Sequence, residues 1–169
     1  KVLCEAGADV NKMTKDYKTA YNFAKDKKVL GYLYSKSVPC TPLAEAVLVG
    51  DINSVKNLIN SGVNVNAFTK KQSPALVHAA YYAYPEITKI LLAAGAKVNT
   101  MDSYGSTPIH AVAVSNKLYN FPEHIEIAKI LIKAGANVNL KGKKKRPILI
   151  EAENPELLKL LIKAGVNIE

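Results

Sequence analysis

Apolar residues recur along this chain at the three- and four-residue spacing of amphipathic helices, and the same short polar phrase follows each apolar run. The phrase is Gly-Ala-x-Val-Asn or a close variant, with its glycines at positions 7, 62, 95, 135 and 165. A glycine directly after the last apolar residue ends a helix in the left-handed conformation. The glycine spacings of 55, 33, 40 and 30 residues predict stacked units, each burying its apolar face against its neighbours.

A second phrase, close to Thr-Pro-Leu-His, opens the units ahead of the apolar run and is most complete at residues 107–110. Its threonine is suited to cap a helix, and its proline fits the first turn, where a missing N–H has no consequence. Small residues such as Ala44 and Ala46 follow the phrase and allow two helices to pack closely. In the most regular unit this pattern predicts helices near 42–49 and 52–60.

The two phrases, in fixed order with helical patterning between them, resemble the ankyrin repeat over essentially the whole chain. The resemblance implies an all-α solenoid of stacked helix-turn-helix units with short β-hairpin-like finger loops. We expect one domain, 1–169, with a possible bend at 35–40, where a closing phrase is missing; a shortened turn in a continuous stack is the alternative. The units expected are 1–12 (partial), 13–36 (short), 37–69, 70–101, 102–140 and 141–169.

Three irregularities interrupt the pattern. Residues 81–85 replace the glycine turn between two helices, and about seven extra residues, 116–122, are expected to form a loop in the fifth unit. In the last unit Glu151 falls at a position that is usually packed, where an unpaired carboxylate would be costly. A shifted helix register, an ion pair with a lysine, or exposure at the end unit would each resolve that conflict.

Composition and charge narrow the function classes. The chain is 49% hydrophobic, but no run approaches the roughly 20 apolar residues that a membrane-spanning helix requires. The net charge is +9, almost all from lysine, and the basic run 141–146 contains the only arginine, Arg146. A solvated finger is the ordinary interpretation of this run, and a nuclear-import signal is another. As a binding site it favours an acidic protein surface, because recognition of nucleic acid would favour arginine and interleaved aromatic residues. Two cysteines define no disulfide framework, which favours a cytoplasmic protein.

The sequence contains no catalytic, metal-binding or cofactor-binding constellation, so we expect neither an enzyme nor a cofactor. His78 lies on a predicted first helix beside small residues, as a packed core histidine would. The resemblance implies that His110 ties neighbouring loops together. His124 begins a helix but lacks the second histidine four residues later that a zinc helix would carry.

By the resemblance, partners bind at the finger loops and at the concave face, which the first helices form. Tyrosine offers a large rigid area with a polar tip, and we expect Tyr81, Tyr82 and Tyr104 to cluster across adjacent units. The alternative is that Tyr81 and Tyr82 only fill the space left by the altered turn. The candidate protein-binding residues are Lys70, Gln72, Tyr81, Tyr82, Ser103, Tyr104, Ser106, Ser115, Lys143 and Lys145.

These features predict a monomeric, non-enzymatic module that binds another protein. Two alternatives remain at this point. The chain is a targeting or regulatory segment of a larger enzyme, such as a bacterial effector delivered into a host cell, or its lysine-rich fingers bind nucleic acid. Binding to a membrane is not expected.

Overall fold

The computed structural model describes residues 41–68, 73–141 and 147–167. Within them the helices are α1 Pro42–Leu48, α2 Ile52–Asn60, α3 Ala75–Tyr81, α4 Pro85–Ala93, α5 Pro108–Tyr119, α6 Glu123–Lys133, a 3-10 turn Ile148–Ile150 and α7 Pro155–Lys163. They form two layers. The first helices α1, α3 and α5 pack side by side, and so do the second helices α2, α4, α6 and α7. The predicted all-α repeat fold is confirmed.

Local sequence explains where the helices of the first described unit begin and end. The Thr41 hydroxyl accepts a hydrogen bond from Ala44 N at 3.2 Å, and Pro42 follows in the first turn. Asp51 caps α2 in the same way, accepting from Ser54 N at 3.1 Å. The Thr41 cap agrees with the sequence prediction, and α1 and α2 agree with the predicted helices to within one residue.

In three of the described units the turn between the first and second helices contains a left-handed residue, which is Gly50, Ala83 or Asn120. Gly50 has φ +71°, and an added Cβ would lie 2.9 Å from the ring of Tyr84 in the following unit. In that following unit Ala83 takes the left-handed conformation at φ +57°, which costs a residue with a Cβ about 1–2 kcal/mol. The buried Tyr82 and Tyr84 on either side hold Ala83 in place.

Asparagines join each unit to the next through the closing phrase. The side-chain Nδ2 donates to the glycine carbonyl of the next phrase, and Oδ1 accepts from the backbone N–H two residues beyond that glycine, at distances of 2.6 to 3.2 Å. We call these residues the asparagine ladder: Asn66 bonds to Gly95 and Lys97, Asn99 to Gly135 and Asn137, and Asn139 to Gly165 and Asn167. At each junction the asparagine side chain uses both its N–H donor and its oxygen acceptor, so the ladder fixes the position of one unit relative to the next.

The irregular units depart from the regular pattern in two places, and one of them corrects an expectation. Residues 116–122 do not all form a loop, because α5 continues to Tyr119 and ends at Asn120 in the left-handed conformation. The first helix of the last unit is reduced to the 3-10 turn Ile148–Ile150. In this last unit Glu151 is half-buried and keeps contact with solvent, whereas Ala152 is 4% exposed.

Several sequence-based expectations concern residues outside the described ranges. These are the units 1–12 and 13–36, the bend at 35–40, and the candidate residues Lys70, Gln72, Lys143 and Lys145. In the part of the chain that is described, no helix is both long enough and apolar enough to cross a membrane.

Candidate functional site

A pocket opens between the units that contain α3 and α5. Its volume is about 290 Å³, and its walls are mostly apolar. We call it the tyrosine pocket. Its lining residues come from α3 and its flanks, from the finger before α5, and from α5 itself: Ser73, Val77, His78, Tyr81, Tyr82, Asp102, Tyr104, Ser106, Ala111 and Val114.

The three tyrosines differ in exposure. Tyr104 is 70% exposed at the finger, Tyr81 is half-buried, and Tyr82 is only 2% exposed. The rings of Tyr81 and Tyr82 meet edge-on, with centroids 5.1 Å apart. The structure therefore brings all three to one pocket, with Tyr82 packed inside and Tyr104 presented to solvent.

The finger at residues 102–106 is a tight turn organised by Asp102. Asp102 Oδ1 accepts hydrogen bonds from Tyr104 N at 2.9 Å and from Ser106 N at 2.8 Å. The backbone closes the turn, because Asp102 N donates to the Ser106 carbonyl at 2.9 Å and Gly105 adopts φ +75°. Asp102 thereby fixes the position from which Tyr104 extends.

The backbone at the end of α3 is tied to the following unit. Ser115 Oγ donates to the Tyr81 carbonyl oxygen, and His124 Nε2 lies 3.2 Å from the same oxygen. A carbonyl only accepts, so His124 carries its proton on Nε2 in this contact. Ser115 is fully buried by this arrangement and is not available at the surface.

An aromatic row supports the outer side of Tyr81. Tyr119 meets Tyr81 edge-on at 6.1 Å, and Phe121 stacks on Tyr119 at 5.6 Å with an interplanar angle of 11°. Phe121 in turn lies 5.6 Å from the ring of His124. Two of the extra residues of the fifth unit, Tyr119 and Phe121, thus pack back towards Tyr81 at the edge of the tyrosine pocket.

His78 and His110 are buried histidines whose pKa values are lowered. Burial lowers the pKa of His78 to about 4, so this wall of the pocket is uncharged near neutral pH. Burial also lowers the pKa of His110, against the opposing effect of the Leu140 carbonyl. The His110 Nδ1 lies 2.8 Å from the Thr107 hydroxyl, which leaves that threonine without the side-chain cap that Thr41 makes.

Sequence reasoning found part of this site. Ser103 and Ser106 are half-buried beside Tyr104, and Ser106 lines the pocket. The candidate residues drawn from the sequence do not include Asp102, Ser73, Val77 or the other apolar lining residues. Asp102 had a recognisable signal, because an aspartate two residues before an exposed position and ahead of a glycine is typical of a side-chain-stabilised turn.

The described residues carry no net charge, with nine lysines and nine acidic side chains. The formal +9 of the whole chain therefore comes from 1–40, 69–72, 142–146 and 168–169. Among the described residues no group of His, Cys, Asp and Glu could hold a metal ion.

Comparison with known protein families gives three matches to one family model, described as ankyrin repeats (3 copies). The matches cover residues 17–102, 43–142 and 76–169. They overlap and together take in residues 17–169, so the model accounts for most of the chain.

Proposed function

Because this chain belongs to the ankyrin-repeat family, whose repeats are generally protein–protein interaction modules, we propose that it is a non-enzymatic module that captures one partner protein through its fingers and the tyrosine pocket. Ankyrin repeats bind many different partners, so the binding site is inferred from the residues of this chain and not from the fold alone. The observation that supports the proposal is Tyr104, a large aromatic side chain 70% exposed at the rim of a mostly apolar pocket.

The residues that contribute most to binding energy in protein interfaces are often aromatic side chains at an apolar pocket. Tyr104 and Tyr81 fit this description. Tyr81 and Tyr104 come from neighbouring units, and Asn99 of the asparagine ladder joins those two units through its bonds to Gly135 and Asn137. Tyr82 and Ser115 are buried and belong to the support of the site, not to its contact surface.

We further propose that the basic finger segments steer an acidic partner surface towards the pocket. Lys70, Lys143 and Lys145 belong to two such segments, whereas the described residues are neutral overall. Steering charges act mainly on the rate of association and are screened over roughly 8 Å at physiological ionic strength. We also propose that the protein acts as a monomer in the cytoplasm.

The test is affinity capture from cell extract with three immobilised proteins: the native chain, Tyr104→Ala and Leu118→Ala. Leu118 is a matched control, because it is a large side chain, 59% exposed, that does not line the pocket. We expect a partner that the native chain and Leu118→Ala retain and that Tyr104→Ala loses, with a loss of about 1–3 kcal/mol in binding free energy. Capture of the same proteins by all three would overturn the proposal. Association measured at low and high salt then tests the steering.

A further inference from the structure

The tyrosine pocket contains an acidic group that the protein does not neutralise within its described part. Asp102 is the acidic member among the described lining residues. The ion pairs in the described part join Lys89 to Glu126, Lys117 to Glu153 and Lys129 to Glu156, all away from Asp102. The two backbone N–H groups on Oδ1 orient the carboxylate of Asp102 but leave its negative charge in place.

Two tyrosine rings stand at the same pocket. Tyr81 is fixed by edge-on contacts with Tyr82 and Tyr119, and Tyr104 extends from the opposite finger. The face of an aromatic ring is negative and attracts a cation, and a planar guanidinium also stacks on it. His78 adds no opposing charge, since burial lowers its pKa to about 4.

The size and the apolar walls of the pocket suit one long side chain. Sites for small-molecule ligands usually enclose about 300–1,000 Å³, and this pocket, at about 290 Å³, lies at the lower limit. Val77, Ala111 and Val114 give it an apolar wall. Such a wall can cover the methylene stem of an amphipathic side chain while its charged end meets polar groups.

We infer that the tyrosine pocket binds the side chain of an arginine that the partner protein presents, with the guanidinium held by Asp102, Tyr81 and Tyr104. The inference rests on the proposed function and specifies the residue that anchors the partner. Together with the basic fingers, it describes a partner segment in which an arginine is flanked by acidic residues.

The experiment is an NMR titration of the isotope-labelled chain with N-acetyl-arginine methylamide. The corresponding citrulline, lysine and leucine amides serve as comparison probes. Citrulline has the shape of arginine without its charge. We expect the arginine probe to shift amide signals of α3, of residues 102–106 and of α5, and to bind at least about fivefold more tightly than the citrulline probe.

Two variants sharpen the titration. Asp102→Asn keeps an oxygen that can accept from Tyr104 N and Ser106 N, so the finger is retained while the charge is removed. We expect it to weaken arginine binding by about fivefold to tenfold. Glu86→Gln is the matched control, because it removes one charge from an exposed position on α4 and leaves the pocket intact.

Equal affinity for arginine and citrulline, or equal losses in Asp102→Asn and Glu86→Gln, would overturn the inference. Tighter binding of leucine would assign the pocket to an apolar anchor instead, and equal binding of lysine would remove the preference for a guanidinium. If Tyr104→Ala loses the captured partner while Asp102→Asn retains it in full, the arginine inference fails and the proposed protein-binding function stands.

Discussion

Each unit has two connections, and they differ in how much variation they accept. After every described second helix the chain repeats one geometry, with a left-handed glycine (φ +82° to +88°) and, at three junctions, an asparagine that bonds to the next unit. After the first helices the chain turns at Gly50 in one unit, at Ala83 in the next, and through a lengthened α5 ending at Asn120 in the third. The constant connection holds the register, which leaves the variable one free to shape a site.

The largest test of this comparison contrasts two tyrosines of the variable region. Tyr82→Ala removes a side chain that is 2% exposed and should lower the free energy of unfolding by about 3–5 kcal/mol. Tyr104→Ala removes a side chain that is 70% exposed and should leave that free energy nearly unchanged. Urea denaturation of both variants beside the native chain measures the difference. Similar losses in the two would mean that Tyr104 is also part of the core.

Lowering the pH should destabilise the fold through His78, which lies in α3 near Tyr82. His78 has a folded-state pKa of about 4 against an ordinary value of 6.5, so the unfolded chain takes up its proton first as the pH falls. Stability should be constant above pH 6.5 and decline between pH 6.5 and about 4, by about 1.4 kcal/mol per pH unit for this histidine. His110, whose pKa is also lowered, adds to the decline.

The measurement is urea denaturation at pH 7, 6 and 5, for the native chain and for His78→Gln. The variant has no proton to take up at this position, so its stability should fall less steeply with pH, whatever its stability at pH 7. Parallel pH dependences would show that His78 titrates alike in the folded and unfolded chains.

The smallest effect is expected at the constant connection. Asn99→Ala removes the bonds to the Gly135 carbonyl and to Asn137 N, and should cost about 1–2 kcal/mol because both bonds are exposed to solvent. Asn99→Asp keeps an acceptor for Asn137 N but loses the donor, so it should retain part of the stability. Asn57→Ala, at an exposed position on α2, is the control. If Asn99→Ala lowers the free energy of unfolding no more than Asn57→Ala does, the ladder does not stabilise the stacking of the units.

The sequence was sufficient for the parts that depend on local chemistry. Thr41, Asp51 and the repeated glycines determine helix ends by capping and by left-handed backbone, and these ends agree with the structure. The sequence was not sufficient to predict which way a side chain faces where that depends on the length of the helix. Because α5 continues to Tyr119, Ser115 turns inward to the Tyr81 carbonyl instead of facing a partner. In the same way Tyr81 and Tyr82 are adjacent in sequence yet one is half-buried and the other enclosed, which only the path of the turn at Ala83 determines.

The asparagine ladder gives successive units the same hydrogen-bonded joint. The Asn66 side chain bonds to two backbone groups of the next phrase, the Gly95 carbonyl and the Lys97 N–H, and Gly135 and Asn137 offer the same two groups one unit later. Excision of residues 70–101 would therefore present Asn66 with an equivalent joint. Duplication or loss of a whole unit preserves these two hydrogen bonds, so a change in the length of the recognition surface has to be accommodated only at the unit-specific contacts, such as that of Gly50 with Tyr84.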